Sequence, residues 1–318
     1  MIKGRVYRSA QRVFYCKIDG QESLITATAK GNLLKGSDSV VVGDEVEIKE
    51  EDGQFYILKV FPRRSEIWRQ IKRENKKKVT ASNIDLLVIV SSASKPKYKR
   101  GLVDRFLMRS AQWEIPAIHI INKMDGFNDD EIDLSFEAER LEMLKIKSFE
   151  ISAKLGEEYQ KQFLQFGLKE LIETLNGKTA IFLGQSGVGK SSLINRLTGG
   201  EFELKTKEIG KAGKGTHTTT WSEVIDFENF TLIDSPGIRS FSVDDVYSED
   251  LELLFPDLLE LFLTCKFRNC DHGPEAKGCF YEQLKDPDQI NIIDSRLESY
   301  YKLRDEVSET PDWKKKPN

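Results

Sequence analysis

The chain has 318 residues, with 48 Lys and Arg against 52 Asp and Glu, a formal charge of −4, and 39% hydrophobic residues. That supplies cores for two or three domains of roughly 100 to 200 residues each and excludes a disordered chain. No apolar run approaches the ~20 residues of a membrane helix, and the N-terminus turns polar too early for a secretory signal, so a cytoplasmic protein is expected. A slightly acidic total leaves a nucleic-acid partner open, because affinity for phosphate depends on local patches.

From Ile2 to Trp68 the segments GRVYRS, RVFYCKI, SLITATA, DEVEIKE and QFYILKVF alternate apolar and polar residues, with Asp19-Gly20, Gly31-Asn32, Gly43-Asp44 and Asp52-Gly53 in the gaps. Period-two runs between turn residues predict strands, and several short strands in so little chain predict a small closed barrel over 1–68, of the OB-fold or another type. Cys16, in one of these strands, reads as an ordinary buried residue. Residues 69–80, RQIKRENKKKVT, are basic with weak apolar spacing. They read as a mobile basic linker over 69–83, either a solvated connector or an RNA-contacting segment.

From Ile84 apolar strand candidates at 84–90, 115–121, 146–151, 179–183, 221–227 and 229–233 alternate with helical stretches at 103–113, 131–144, 163–175 and 190–197. This predicts an α/β domain with a mostly parallel sheet over 84–243. Beyond it a leucine-rich stretch at 251–263, a cysteine cluster and a helix over 288–307 predict a small helical domain over 244–318 that a metal would hold together.

The strongest motif is Gly184-Gln185-Ser186-Gly187-Val188-Gly189-Lys190-Ser191, which follows the strand TAIFL and opens the helix SLINRL. In that setting it is a phosphate loop. Its glycines let backbone N–H groups turn inward around a phosphate, Lys190 brings a catalytic charge to the β- and γ-phosphates, and Ser191 offers its hydroxyl to Mg²⁺. Downstream, a strand ends in Asp234-Ser235-Pro236-Gly237. There Asp234 can accept from a Mg²⁺-bound water and the Gly237 N–H can reach the γ-phosphate.

The base is decided elsewhere. Asn122-Lys123-Met124-Asp125 follows the strand IPAIHII, and Ser152-Ala153-Lys154 follows the next one. The Asp125 carboxylate can accept from N1–H and N2 of guanine together, a donor pair that adenine lacks. Asn122 can reach the base edge and bridge to the phosphate loop, the Lys123 stem can pack on the ring, and a backbone N–H of 152–154 can donate to guanine O6. In ordinary GTPases the phosphate loop precedes the base-reading motifs; here it follows them. Loops at the C-terminal edge of a parallel sheet share one ligand site whatever their order, so joining the old ends and cutting elsewhere leaves that site intact. The permutation also sends the chain from the second switch directly into the C-terminal domain, which γ-phosphate loss could then move.

Between phosphate loop and Asp234 lies KEIGKAGKGTHTTTWSEV, the first-switch position. Thr218 or a neighbour among Thr216 to Thr220 would ligate Mg²⁺. Ile238 stands where Ras-type GTPases carry a water-orienting Gln. His217 is the candidate replacement, its neutral imidazole accepting from water; the alternative is a solvent-exposed loop histidine. His119, inside an apolar strand, reads as a satisfied core or edge histidine. The third histidine belongs to Cys265-x4-Cys270-x-His272-x6-Cys279, a closed Cys₃His set suited to one structural Zn²⁺.

NKMD, then SAK, GQSGVGKS, GTHTTT and DSPGI, with a barrel before and a cysteine–histidine cluster after, resembles the circularly permuted GTPases of the RsgA/YjeQ family over nearly the whole chain. The resemblance implies an OB-fold, a permuted GTPase domain and a zinc-binding helical domain. It implies a factor acting late in maturation of the 30S ribosomal subunit, in contact with 16S rRNA, whose GTP hydrolysis the subunit stimulates. It extends the nucleotide site to Ser192 and leaves water orientation to His217. The chain departs from the family pattern in carrying Thr216 where an Arg usually precedes the His, and in a longer spacing before Cys279. A second reading is an RNA-binding module that uses GTP only as a conformational ligand; an ATPase or kinase is disfavoured by Asp125. Nothing demands more than a monomer.

Overall fold

The computed structural model describes residues 2–10, 12–29, 33, 39–71, 76–130, 132–203, 222–234, 242–273 and 275–309. Strands β1 (Ile2–Ala10), β2 (Val13–Ile18), β3 (Leu24–Ala29), β4 (Glu45–Glu51) and β5 (Gln54–Val60) match the five alternating segments. They pair in the order β1-β2-β3-β5-β4, and β4 closes onto β1. The result is the expected OB-type barrel, with no open edge among these five strands. Alternate residues turn inward, such as Phe14, Cys16 and Ile18 of β2, and meet Val6, Val46, Ile48 and Ile57 in one core.

The basic linker is corrected. Residues 66–71 and 76–82 are two antiparallel strands, β6 (Glu66–Ile71) and β7 (Lys76–Ser82). Ile67 and Ala81 pack in one core with Leu87 and Ile89 of the neighbouring domain and Val79 is buried, while Lys76, Lys77 and Lys78 remain on the outside. Lys77 pairs with Glu66 at 2.8 Å and lies 4.7 Å from the centre of the Trp68 ring. The lysine run covers a two-residue period that packing, not composition, decides.

The α/β domain has strands β8 (Leu86–Ser92), β9 (Ala117–Asn122), β10 (Ser148–Glu150), β11 (Thr179–Leu183), β12 (Glu223–Asp226) and β13 (Thr231–Asp234), in the order β10-β9-β8-β11-β13-β12. The first five in that order are parallel; β12 is antiparallel to β13. Every residue of β8 is buried, because both faces are covered. Leu86, Val88 and Val90 pack on the side of α3 (Leu168–Leu175) and α4 (Lys190–Leu197). Leu87 and Ile89 pack with Val103, Phe106 and Trp113 of α1 (Arg100–Trp113). Helix α2 (Leu134–Met143) precedes β10. Helix α3 starts later than expected, because the buried Glu150 carboxylate captures the N–H groups of Gln162, Phe163 and Leu164 at 2.9, 2.7 and 2.8 Å and holds them as a loop.

The barrel joins this sheet through a β1–β12 contact at Arg8 and Glu223. There the Arg8 guanidinium pairs with Glu223, the Tyr7 hydroxyl donates to Asp226, and Lys17 lies 3.4 Å from Asp226. The C-terminal part carries α5 (Pro256–Phe262) and α6 (Pro287–Ser308), whose apolar faces bury Phe255, Phe262, Leu297, Tyr300 and Leu303 together with Met108 of α1. Beneath α6 lies a charged junction in which Asp104 of α1 meets Arg140 of α2 and Arg296 of α6, all with fully or nearly fully buried side chains.

Candidate active site and metal centre

Parallel pairing puts the C-terminal ends of β8, β9, β10, β11 and β13 on one rim, and every described motif residue follows one of these ends. The phosphate loop leaves β11 at Gly184, where φ is +149° and an added Cβ would stand 2.2 Å from the Val90 carbonyl. Gly189 closes it at φ +92°, where a Cβ would stand 2.6 Å from Asn122 Nδ2. Both positions therefore demand glycine. Lys190 opens α4 and donates to Gly184 O at 2.8 Å and Gln185 O at 2.9 Å. A cleft of about 740 Å³ is lined by Lys123, by Gly184 to Gly187 and Gly189 to Ser192, and by Asp234 at the end of β13. Val188 turns instead into the core.

Asn122 is the keystone. Its side chain is 1% exposed; Nδ2 donates to Val188 O at 3.0 Å, and Oδ1 accepts from Ala153 N–H at 3.0 Å. One amide thus ties the end of β9 to the phosphate loop and to the Ser152-Ala153-Lys154 loop. Lys123, with a left-handed φ of 64°, donates to Gly187 O and Lys95 O, both at 2.6 Å. Asp125 accepts from Ser152 Oγ at 2.7 Å and lies 3.6 Å from Lys154 Nζ. The Ser152 hydrogen bond orients the carboxylate, while the Lys154 ammonium at that distance is an ionic neighbour only. Met124 packs with Ala93, Ile121 and Leu134 and anchors the turn from below. The predicted residues His217, Thr218 and Gly237, with Thr216 and Ile238, lie outside the described residues.

Sequence reasoning missed Arg196, in the last turn of α4, which donates to Ala153 O at 3.0 Å and Lys154 O at 2.9 Å. It shares a helix with Lys190, but a lone Arg there reads as a solvated charge. His119 is fully buried with Nε2 2.8 Å from Ser91 Oγ, yet Nδ1 has no partner among the described residues, so it is a core histidine only half satisfied. Burial, reinforced by the Arg140 charge, lowers it to about 3 and keeps it neutral. Burial pushes the Cys16 thiol up to about 12, which leaves it inert.

In the C-terminal part the ligand atoms of Cys265, Cys270, His272 and Cys279 all lie within 4.8 Å of one another, so this group can hold a metal ion. Cys265 Sγ is 3.5 Å from His272 Nδ1 and 3.9 Å from Cys279 Sγ. The N–H groups of His272 and Phe280 point at Cys270 and Cys265 sulfurs at 3.4 Å each, as thiolates require. The His272 ring stacks on Phe262 at 3.6 Å and 4°, which fixes its plane. Burial raises the Cys265 and Cys279 thiols, so the sulfurs become thiolates when a cation shares the space.

A sequence model of the RsgA GTPase family matches residues 60–244. The chain is 32% identical over 317 residues to the small ribosomal subunit biogenesis GTPase RsgA of Bacteroides fragilis, covering 97% of this chain and 98% of that protein. It is 35% identical over 306 residues to the protein of the same name from Porphyromonas gingivalis, covering 92% of each. Among solved structures it is similar to YjeQ from Thermotoga maritima, with a TM-score of 0.71 at 25% identity, covering 96% of this chain and 98% of that one. It is also similar to YloQ, described as a circularly permuted GTPase, with a TM-score of 0.68 at 26% identity over 97% and 96% of the two chains.

Proposed function

The chain belongs to the RsgA GTPase family, and from that premise we propose that its rim binds GTP and hydrolyses it to GDP and phosphate during biogenesis of the small ribosomal subunit, with the subunit as stimulator. The observation that carries this reading is the Asn122 bridge, which unites base-reading and phosphate loops encoded in reversed order. Asp125, preset by Ser152, selects guanine. Lys190 exchanges its two loop carbonyls for the β- and γ-phosphates, and its charge offsets what develops there during transfer. Ser191, with a first-switch threonine such as Thr218, would hold Mg²⁺, which when bound neutralises phosphate oxygens. Gly237 completes the γ-phosphate contacts, and His217 orients the attacking water because Ile238 has no polar atom to do so.

Zinc is the proposed occupant of the Cys₃His cluster. With Zn–S of about 2.3 Å, tetrahedral geometry gives sulfur–sulfur edges of about 3.8 Å, against 3.9 Å between Cys265 and Cys279. The proposed partner surface is 16S rRNA within the 30S subunit, met by the barrel and by the basic face of β6 and β7. The proposed compartment is the cytoplasm, the proposed state a monomer. Among the described residues no helix is long and apolar enough to cross a membrane.

The test is nucleotide hydrolysis with and without small ribosomal subunits. Turnover of GTP should rise on adding subunits and ATP should not be used. Asp125→Asn should move preference toward xanthosine triphosphate, whose 2-oxo group replaces the N2 donor. Turnover indifferent to subunits, or equal use of ATP, overturns the reading.

A further inference from the structure

Resting on the guanine-site reading above, we propose that Arg196 is a positioning residue for purine selectivity, aiming the Lys154 backbone N–H at the 6-oxo group of the base by gripping the peptide from its other side.

The peptide between Ala153 and Lys154 is a rigid plane whose C=O and N–H point in opposite directions. Arg196 Nε donates to the Ala153 oxygen of that plane at 3.0 Å, and Nη2 donates to the next carbonyl, Lys154 O, at 2.9 Å. A planar guanidinium fork that grips two successive carbonyls fixes the rotation of the peptide between them. The N–H of Lys154 must then face away from α4. Among the described residues no acceptor meets it, whereas the Ala153 N–H is already committed to Asn122 Oδ1 at 3.0 Å. Of these two amides, Lys154 holds the donor left for a ligand, and its own ammonium lies 3.6 Å from the Asp125 carboxylate that takes the N1 and N2 edge. On guanine the 6-oxo group is the next atom along that edge.

The seat for the guanidinium is built into the loop. Gly156 has φ +62°, and a Cβ there would stand 3.1 Å from the Arg196 guanidinium carbon. Ser152 holds the far side of the loop, its Oγ donating to Asp125 and accepting from the Leu155 N–H at 3.1 Å. The same helix therefore begins with the phosphate lysine and ends with the clamp on the base loop, so phosphate and base recognition share one rigid body.

The experiment is calorimetric binding of GDP and 6-thio-GDP, with Mg²⁺, to the full chain and to its Arg196→Ala and Arg196→Lys variants. Sulfur at position 6 is a weak acceptor but leaves N1–H and N2 unchanged. The native chain should prefer GDP by about tenfold, the worth of one well-placed hydrogen bond. Arg196→Ala should lose about tenfold in GDP affinity and under about threefold for 6-thio-GDP, so that the preference collapses. Arg196→Lys, reaching one carbonyl, should fall between, and it carries the test if the alanine variant does not fold. Parallel weakening of both nucleotides, or unchanged GDP affinity, overturns the proposal while leaving the guanine site standing. A native chain that binds GDP no better than ADP would instead remove the guanine-site reading, and this proposal with it.

Discussion

Replacing Asp104 by Ala tests how the C-terminal helix is attached. Asp104 and Arg140 have 0% exposed side chains, Arg296 3%. Asp104 pairs with Arg140, lies 2.7 Å from Arg296 Nη1 in an ionic contact without hydrogen-bond geometry, and accepts from Ser299 Oγ at 2.5 Å. With Glu137, also 0% exposed, the buried set holds two carboxylates and two guanidiniums. Removing Asp104 leaves one guanidinium charge in excess, only partly compensated because Arg296 keeps Asp257 through two bonds of 2.8 Å. Breaking a buried pair in this way costs about 3 to 5 kcal/mol, a large share of the 5 to 15 kcal/mol typical of whole domains. Ser299→Ala, which removes only a hydrogen bond, should cost about 1 kcal/mol. Urea unfolding measures both, and limited proteolysis should release the α6 region first from Asp104→Ala. A loss below about 1 kcal/mol for Asp104→Ala would refute the reasoning, since the charge would then matter no more than the hydroxyl.

Two further outcomes follow from buried groups. His119 stays neutral to about pH 3 when folded but protonates near 6.5 when unfolded, so the unfolded chain binds the extra proton between those values. Stability is full above pH 6.5 and falls as pH drops, by about 2 kcal/mol at pH 5; urea titrations of the native chain and His119→Gln should diverge by that amount, and parallel curves would exclude it. Metal analysis should find about one zinc per chain. Stripping it with phenanthroline should make residues 256–309 protease-sensitive while GDP binding persists, and a stripped chain as resistant as before would show that the cluster does not need an ion.

What could be read in advance was local. Barrel strands announce themselves through period-two spacing between Asp-Gly turns, and the nucleotide motifs are contiguous peptides whose chemistry does not depend on distant partners. The β6–β7 pair was hidden because three lysines occupy the period that Val79 and Ala81 would otherwise display. The start of α3 was misplaced because Phe163 and Leu164 look helical until Glu150, distant in sequence, takes their N–H groups. Asp104, Arg140 and Arg296 each resemble an ordinary surface charge; only the meeting of three helices makes them interior. Arg196 was overlooked for the same reason, as its partners are main-chain carbonyls with no side-chain signature.

The contact between β1 and β12 makes the barrel and the α/β domain parts of a single ladder of strands. A rigid body that clasps the barrel thereby acquires leverage on the sheet: torque applied at β1 must either shear Arg8 from Glu223 and Tyr7 from Asp226 or pass through β12 to β13, the strand that ends at Asp234. The barrel is thus also a handle on the strand that carries Asp234 to the rim of the sheet.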